Sequence, residues 1–148
     1  INMYSVKGDT VLDPFLGTGT TIVASIASER NSIGCEIDPN FKDFIIKGII
    51  ESKDKSNEYI MQRLKSHEKS IEERINNDKI PKYTSKEYGF VVITKQEENI
   101  ILSTIKEIKE ENNIIISDYE KLHYDGKSSN ESKNKKDKTE SVQMTLNV

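Results

Sequence analysis

Residues 8–40, GDTVLDPFLGTGTTIVASIASERNSIGCEIDPN, constrain the fold of this chain more than any other stretch. Thr10, Val11 and Leu12 form a short β-branched and apolar run, the pattern of a buried parallel strand, and Asp13-Pro14 breaks it into a loop carrying Gly17 and Gly19. Residues 20–28 are small or helix-compatible, and Ile22, Val23, Ile26 and Ala27 form an apolar helix face. Asn31 punctuates, and residues 33–37 predict a second strand that closes on Glu36 and Asp38. The order is strand, glycine turn, helix, strand, acid.

Glycines in the first turn let the backbone bend sharply and approach a ligand, and the helix that follows offers unpaired N–H groups. An acid at the end of the second strand accepts hydrogen bonds from a ribose diol, so the pattern predicts a nucleoside-type cofactor. A triphosphate loop needs Lys and then Ser or Thr after its last glycine, and Gly19 is followed by Thr20. The dinucleotide fingerprint needs a glycine or alanine where this chain has the β-branched Ile22, which disfavours NAD without excluding it. Asp13 at the mouth of the first strand repels a pyrophosphate but pairs with an ammonium group. S-adenosylmethionine carries both an ammonium and a ribose, and so suits Asp13 and Glu36 together.

At these residues the chain resembles a known family. Residues 13–21, DPFLGTGTT, are similar to the cofactor motif of DNA methyltransferases that modify exocyclic amines to give N4-methylcytosine or N6-methyladenine, and residues 33–39, IGCEIDP, are similar to the acidic motif that follows it. The resemblance covers roughly the first fifty residues and implies a Rossmann-like, S-adenosylmethionine-dependent methyltransferase fold. It implies that Asp13 faces the methionine amino group, with Pro14 beside it, and that Phe15 lies near the methyl group. Gly17 and Gly19 shape the turn, Thr20 and Thr21 bond the carboxylate, and Glu36 takes the ribose hydroxyls. Ile37 and Pro39 contact adenine, with Asp38 nearby. It further implies double-stranded DNA as substrate, a place in restriction-modification, and a catalytic Asp/Ser-Pro-Pro-Tyr/Trp motif. The prolines here are Pro14, Pro39 and Pro81, and none adjoins another. No catalytic residue is therefore assigned: the expected chain is a partial domain lacking its catalytic half, which binds cofactor without methylating DNA alone. A missing N-terminal half, or a separately encoded subunit of a split enzyme, is the expected partner. Rivals are that non-catalytic subunit and a dinucleotide-dependent oxidoreductase fragment.

At 148 residues the chain is one domain's worth, with 34% hydrophobic and 32% charged residues, so part of it contributes little to a core. A net charge of −3 supplies no global field for a polyanion. A lone cysteine, Cys35, rules out a disulfide framework, fits a cytoplasmic protein and is expected buried and inert in its strand. No apolar run approaches membrane-spanning length, and no convincing metal-ligand spacing surrounds His67.

Downstream readings are structural. Asp38 is expected to cap a helix over 39–52 with Pro39 in its first turn, in addition to lying near the cofactor. A thin stripe of Ile60 or Met61, Leu64, Ile71 and Ile75 predicts a helix over 57–77 that extends from the domain. Residues 88–93 predict a strand, 97–110 a helix and 113–119 a strand, a small βαβ-like unit that either closes the main sheet or stands apart for target recognition. Tyr83, Tyr88, Tyr119 and Tyr124 are assigned to packing ahead of base stacking. The polar run from Asp125 predicts disorder, and the alternating last eight residues suit a strand at a sheet edge, a docking peptide or a frayed tail equally. The expected fold class is thus α/β, doubly wound, with cofactor-binding residues 1–55, a helical extension and small unit over 56–124, and a tail over 125–148.

Overall fold

The computed structural model describes residues 1–79, 81–124 and 140–147. The opening strand, turn, helix and strand are all present: β1 is Thr10–Asp13, α1 is Thr20–Ile26 and β2 is Asn31–Cys35. β2 lies two residues earlier than its apolar run suggests. The chain turns away after Cys35 because the Glu36 carboxylate accepts the Asp38 backbone N–H at 3.0 Å. Cys35 is consequently half-buried at a strand end rather than enclosed within it.

Asp38 caps the next segment as its position predicts, accepting the Asn40 N–H at 2.9 Å, and Pro39 opens a 3-10 turn, Pro39–Phe41, that runs into α2, Lys42–Glu51. α3 follows as Lys53–Asn76. Ile22 and Ile26 of α1, Ile45 and Ile49 of α2 and Leu16 of the glycine loop form one core cluster. Each such side chain stabilises the fold by about 1.5–3 kcal/mol when fully buried.

Residues 97–110 do not form the expected helix. Lys95–Asn99 is a 3-10 turn with a Thr94/Glu97 capping box, and Ser103–Glu111 is a strand, β5, after the short pair β3 (Tyr83–Thr84) and β4 (Val91–Val92). The helix-like spacing of Ile105 and Ile108 arises from a β-bulge: register slips between Ile105 and Glu107, with Lys106 as the extra residue. Two isoleucines three apart therefore face the same core, at 1% and 8% exposure. β5 turns through Asn112 and Asn113, both at positive φ, into the antiparallel β6, Ile114–Lys121. Two residues in that conformation match the twist of a two-residue hairpin. The expected βαβ-like unit is thus a hairpin, and it belongs to the main sheet.

That sheet has the order β1-β2-β7-β6-β5, where β7 is Glu140–Asn147. Residues 140–147 form a strand at the centre of the sheet, parallel to β2 and antiparallel to β6, instead of an edge strand or part of a disordered tail. The rest of the predicted tail, residues 125–139 and 148, lies outside the described residues. α1, α2 and the buried residues of β5 and β6 share one cluster, so these helices cover one sheet face. Leu12, in register with Ile33 on the opposite face, stays 63% exposed. The fold is mixed α/β, with α1 and α2 layered on a single face rather than divided between two.

α3 packs on β5, and the Asn57 amide bridges both backbone groups of Ile105, donating to its carbonyl at 2.9 Å and accepting its N–H at 2.8 Å. Leu64 and Ile71 are buried, so the helix expected to extend from the domain packs along it, and only its end and the turn after it, residues 72–79, are exposed. Phe90 packs among His67, Tyr88 and Tyr124, and Tyr119 is core. The tyrosines at 88, 119 and 124 therefore serve packing, as expected. Among the described residues no helix is long and apolar enough to cross a membrane.

Candidate functional site

β1 and β2 are parallel neighbours, with Asp13 opposite Gly34, so Asp13 and Glu36 both stand at the carboxyl ends of adjacent strands. Ligands of open α/β sheets bind at those ends. The glycine loop closes over this edge. The Leu16 N–H donates to the Cys35 carbonyl at 2.8 Å and the Gly17 N–H to Glu36 Oε2 at 2.8 Å, which ties the loop to the end of β2. Glu36 thus accepts one backbone N–H on each oxygen, from Gly17 and Asp38. A carboxylate has about four acceptor positions, so it can still receive a ligand hydroxyl.

Leu16 is the residue that sequence reasoning missed. It is buried at 4% against Gly34, where a Cβ would come within 2.6 Å of its side chain. A small residue inside the second strand was the available signal. Gly17 and Gly19 adopt φ of +55° and +83°. A Cβ on Gly17 would meet nothing within 4 Å, so its backbone is open to a ligand, whereas one on Gly19 would lie 2.9 Å from Ile45. Asp13 Oδ1 accepts the Phe15 N–H at 3.0 Å and so shapes the turn. Thr20 and Thr21 begin α1, with the Thr20 and Thr18 hydroxyls 3.2 Å apart. Pro14, Phe15 and Ile37 stand in solvent around the loop, Phe15 at 89% and Ile37 at 98% exposure. The predicted residues are thus gathered at one edge, with Glu36, Gly17 and Asp38 directly bonded and the apolar members disposed around them. Among the described residues no three His, Cys, Asp or Glu side chains converge as a metal site. A separate cleft of about 340 Å³ lies between α3 and β4, lined by Arg63, His67, Tyr88 and Phe90.

The structure thus brings a strand edge, a glycine loop and two acids together at one place. Comparison with known proteins is more specific: residues 1–48 match the family of N6/N4-type DNA methylases. The chain is 50% identical over 112 residues to the type II methyltransferase M.MthZI of Methanothermobacter thermautotrophicus, covering 74% of this chain and 30% of that protein. It is 64% identical over 45 residues to the type II methyltransferase M.MjaI of Methanocaldococcus jannaschii, covering 30% and 15% respectively. It is also 51% identical over 41 residues to the type II methyltransferase M.BglI of Bacillus subtilis, covering 28% and 12%. Through these residues the chain is related to DNA methyltransferases of the N4/N6 type. It spans less than a third of the length of each of these relatives. The M.MthZI match is much longer than the family match and so extends well beyond residue 48. No solved structure matches the chain.

Proposed function

We propose that this chain is the cofactor-binding portion of a DNA methyltransferase acting on an exocyclic amine, cytosine N4 or adenine N6, within a Rossmann-like domain. The observation that carries this reading is the bonding of Glu36 to the Gly17 N–H, which sets a ribose-accepting acid against an open backbone loop. These residues fit S-adenosylmethionine. Asp13 faces the ammonium with its remaining oxygen, the first turn of α1 supplies Thr20 and Thr21 for the carboxylate, and Glu36 holds the ribose diol. Ile37, Asp38 and Pro39 flank the adenine.

When bound, the cofactor supplies an electrophilic methyl group. The chain's own residues would orient it: Asp13 and Glu36 would fix two ends of one ligand across adjacent strands, with Phe15 near the methyl position. The target base must be unstacked and its amine held in line by hydrogen-bond acceptors, and in this reading the Pro-Pro-aromatic motif outside these residues supplies them. Double-stranded DNA is the substrate of the complete protein in this reading, and the likeness to type II methyltransferases supports a role in restriction-modification. The 63% exposure of Leu12 on edge strand β1 supports a reading in which further methyltransferase residues, in the same protein or in a subunit, pack there.

Irradiation of the chain with radiolabelled S-adenosylmethionine tests the assignment. Label should map to the peptides covering residues 9–40 and be displaced by S-adenosylhomocysteine. Label elsewhere, or displacement by NAD alone, would count against it.

A further inference from the structure

We propose that the C-terminal strand β7 is a positioning element of the cofactor site: its docking between β2 and β6 holds the end of β2, and with it Glu36, in binding geometry. The inference rests on the cofactor reading above. Without β7, β2 has β1 as its single described neighbour, a parallel pair of five and four residues. Two strands alone are marginal in water, and parallel pairing is the weaker kind. β7 supplies the third strand at the place that matters, with Ser32, Ile33, Gly34 and Cys35 opposite Met144, Thr145, Leu146 and Asn147.

Cys35 is the junction. It is the last β2 residue in register with β7, its carbonyl receives the Leu16 N–H of the glycine loop, and the next residue is Glu36, which receives Gly17. Backbone order at Cys35 thus passes by two hydrogen bonds into the loop that approaches the ligand. On its other edge β7 pairs with Ile114–Tyr119, and the Tyr119 hydroxyl donates to the Ile26 carbonyl at the end of α1, 2.8 Å away. One strand therefore joins the cofactor edge to the hairpin that packs under the same helices. Docking of β7 and cofactor binding favour one arrangement, and thermodynamic linkage makes each strengthen the other.

Hydrogen exchange of the full chain with and without saturating S-adenosylhomocysteine reads this coupling, together with calorimetric titration of the unmodified chain, Thr145→Pro and Thr145→Ala. Thr145 is paired on both sides, with Ile33 and Ile114, so proline breaks the ladder there while alanine keeps the N–H. The expected result is slower exchange of the amides of residues 140–147 when ligand is bound. Affinity should fall about tenfold in Thr145→Pro and stay nearly unchanged in Thr145→Ala. A strand that serves stability alone would show no ligand-dependent protection, and that result overturns the inference even if the proline variant binds weakly. If Thr145→Pro does not fold, exchange in the unmodified chain decides by itself. Failure of the unmodified chain to bind at all would instead overturn the cofactor reading, and this inference with it.

Discussion

Gly17 and Gly19 lie two residues apart in one loop and are required for different reasons. Both hold left-handed φ values, but Gly19 also packs so closely on Ile45 that a methyl group would arrive at 2.9 Å. Gly19→Ala therefore adds steric overlap to backbone strain and should destabilise the fold by about 2–4 kcal/mol, whereas Gly17→Ala costs about 1 kcal/mol of strain. Urea denaturation of the two variants separates these. On the cofactor reading Gly17→Ala should nonetheless weaken ligand binding, because its Cβ enters the space left open beside the loop. At the same scale, the Tyr124 hydroxyl donates to Glu68 Oε1 at 2.6 Å, and this bond, with a smaller contribution from burial, pushes its pKa up to about 12. The folded state favours neutral Tyr124, so this contribution to stability is complete below about pH 10 and is lost as pH rises toward 12. An ultraviolet titration should show the late-ionising Tyr124 disappear in Tyr124→Phe and move toward the ordinary value in Glu68→Gln.

At the scale of elements, the opening strand, turn, helix and strand were legible because each is set by local spacing and turn chemistry. The helix read into 97–110 was not. Ile105 and Ile108 have helical spacing, and the bulge at Lys106 produces the same spacing in a strand, a local insertion that periodicity cannot distinguish. The Asn112-Asn113 pair was the readable sign of a hairpin, since both residues tolerate positive φ. Asn57 could not have been singled out, because its partner Ile105 is 48 positions away. Its amide satisfies the edge strand beside the bulge, on both the N–H and the carbonyl side. Asn57→Leu keeps the helix but leaves two backbone groups half-buried without it, and should cost about 1–3 kcal/mol. Thermal unfolding of that variant, beside the exposed-site control Gln62→Ala, measures the difference.

For the whole molecule, the central fact is that residues from both ends of the chain build one sheet. The edge formed by Asp13, the glycine loop and Glu36 was readable from its motif, because a sharp turn after one strand and an acid at the end of the next leave glycines and carboxylates at fixed offsets. The central place of β7 was not readable, because the alternation of the last eight residues states that a strand is possible and says nothing about which edge it joins. The same difference explains the site. Asp13, Gly17, Gly19 and Glu36 carry a signature, whereas the Cys35 carbonyl that secures the loop acts through its backbone and leaves none. Division of the chain into a cofactor part and an appended unit follows composition, but hydrogen bonding joins β2 to β6 through β7.

In the proposed function, the edge formed by Asp13, the glycine loop and Glu36 binds a methyl-donor nucleoside. The most direct measurement is calorimetric titration of the full chain with S-adenosylhomocysteine, beside Asp13→Ala and Glu36→Ala. Saturable one-to-one binding is expected, weakened by about 1.5–3 kcal/mol in Glu36→Ala through loss of charged hydrogen bonds and also weakened in Asp13→Ala. Undiminished affinity in both variants, or no binding by the folded unmodified chain, would contradict it.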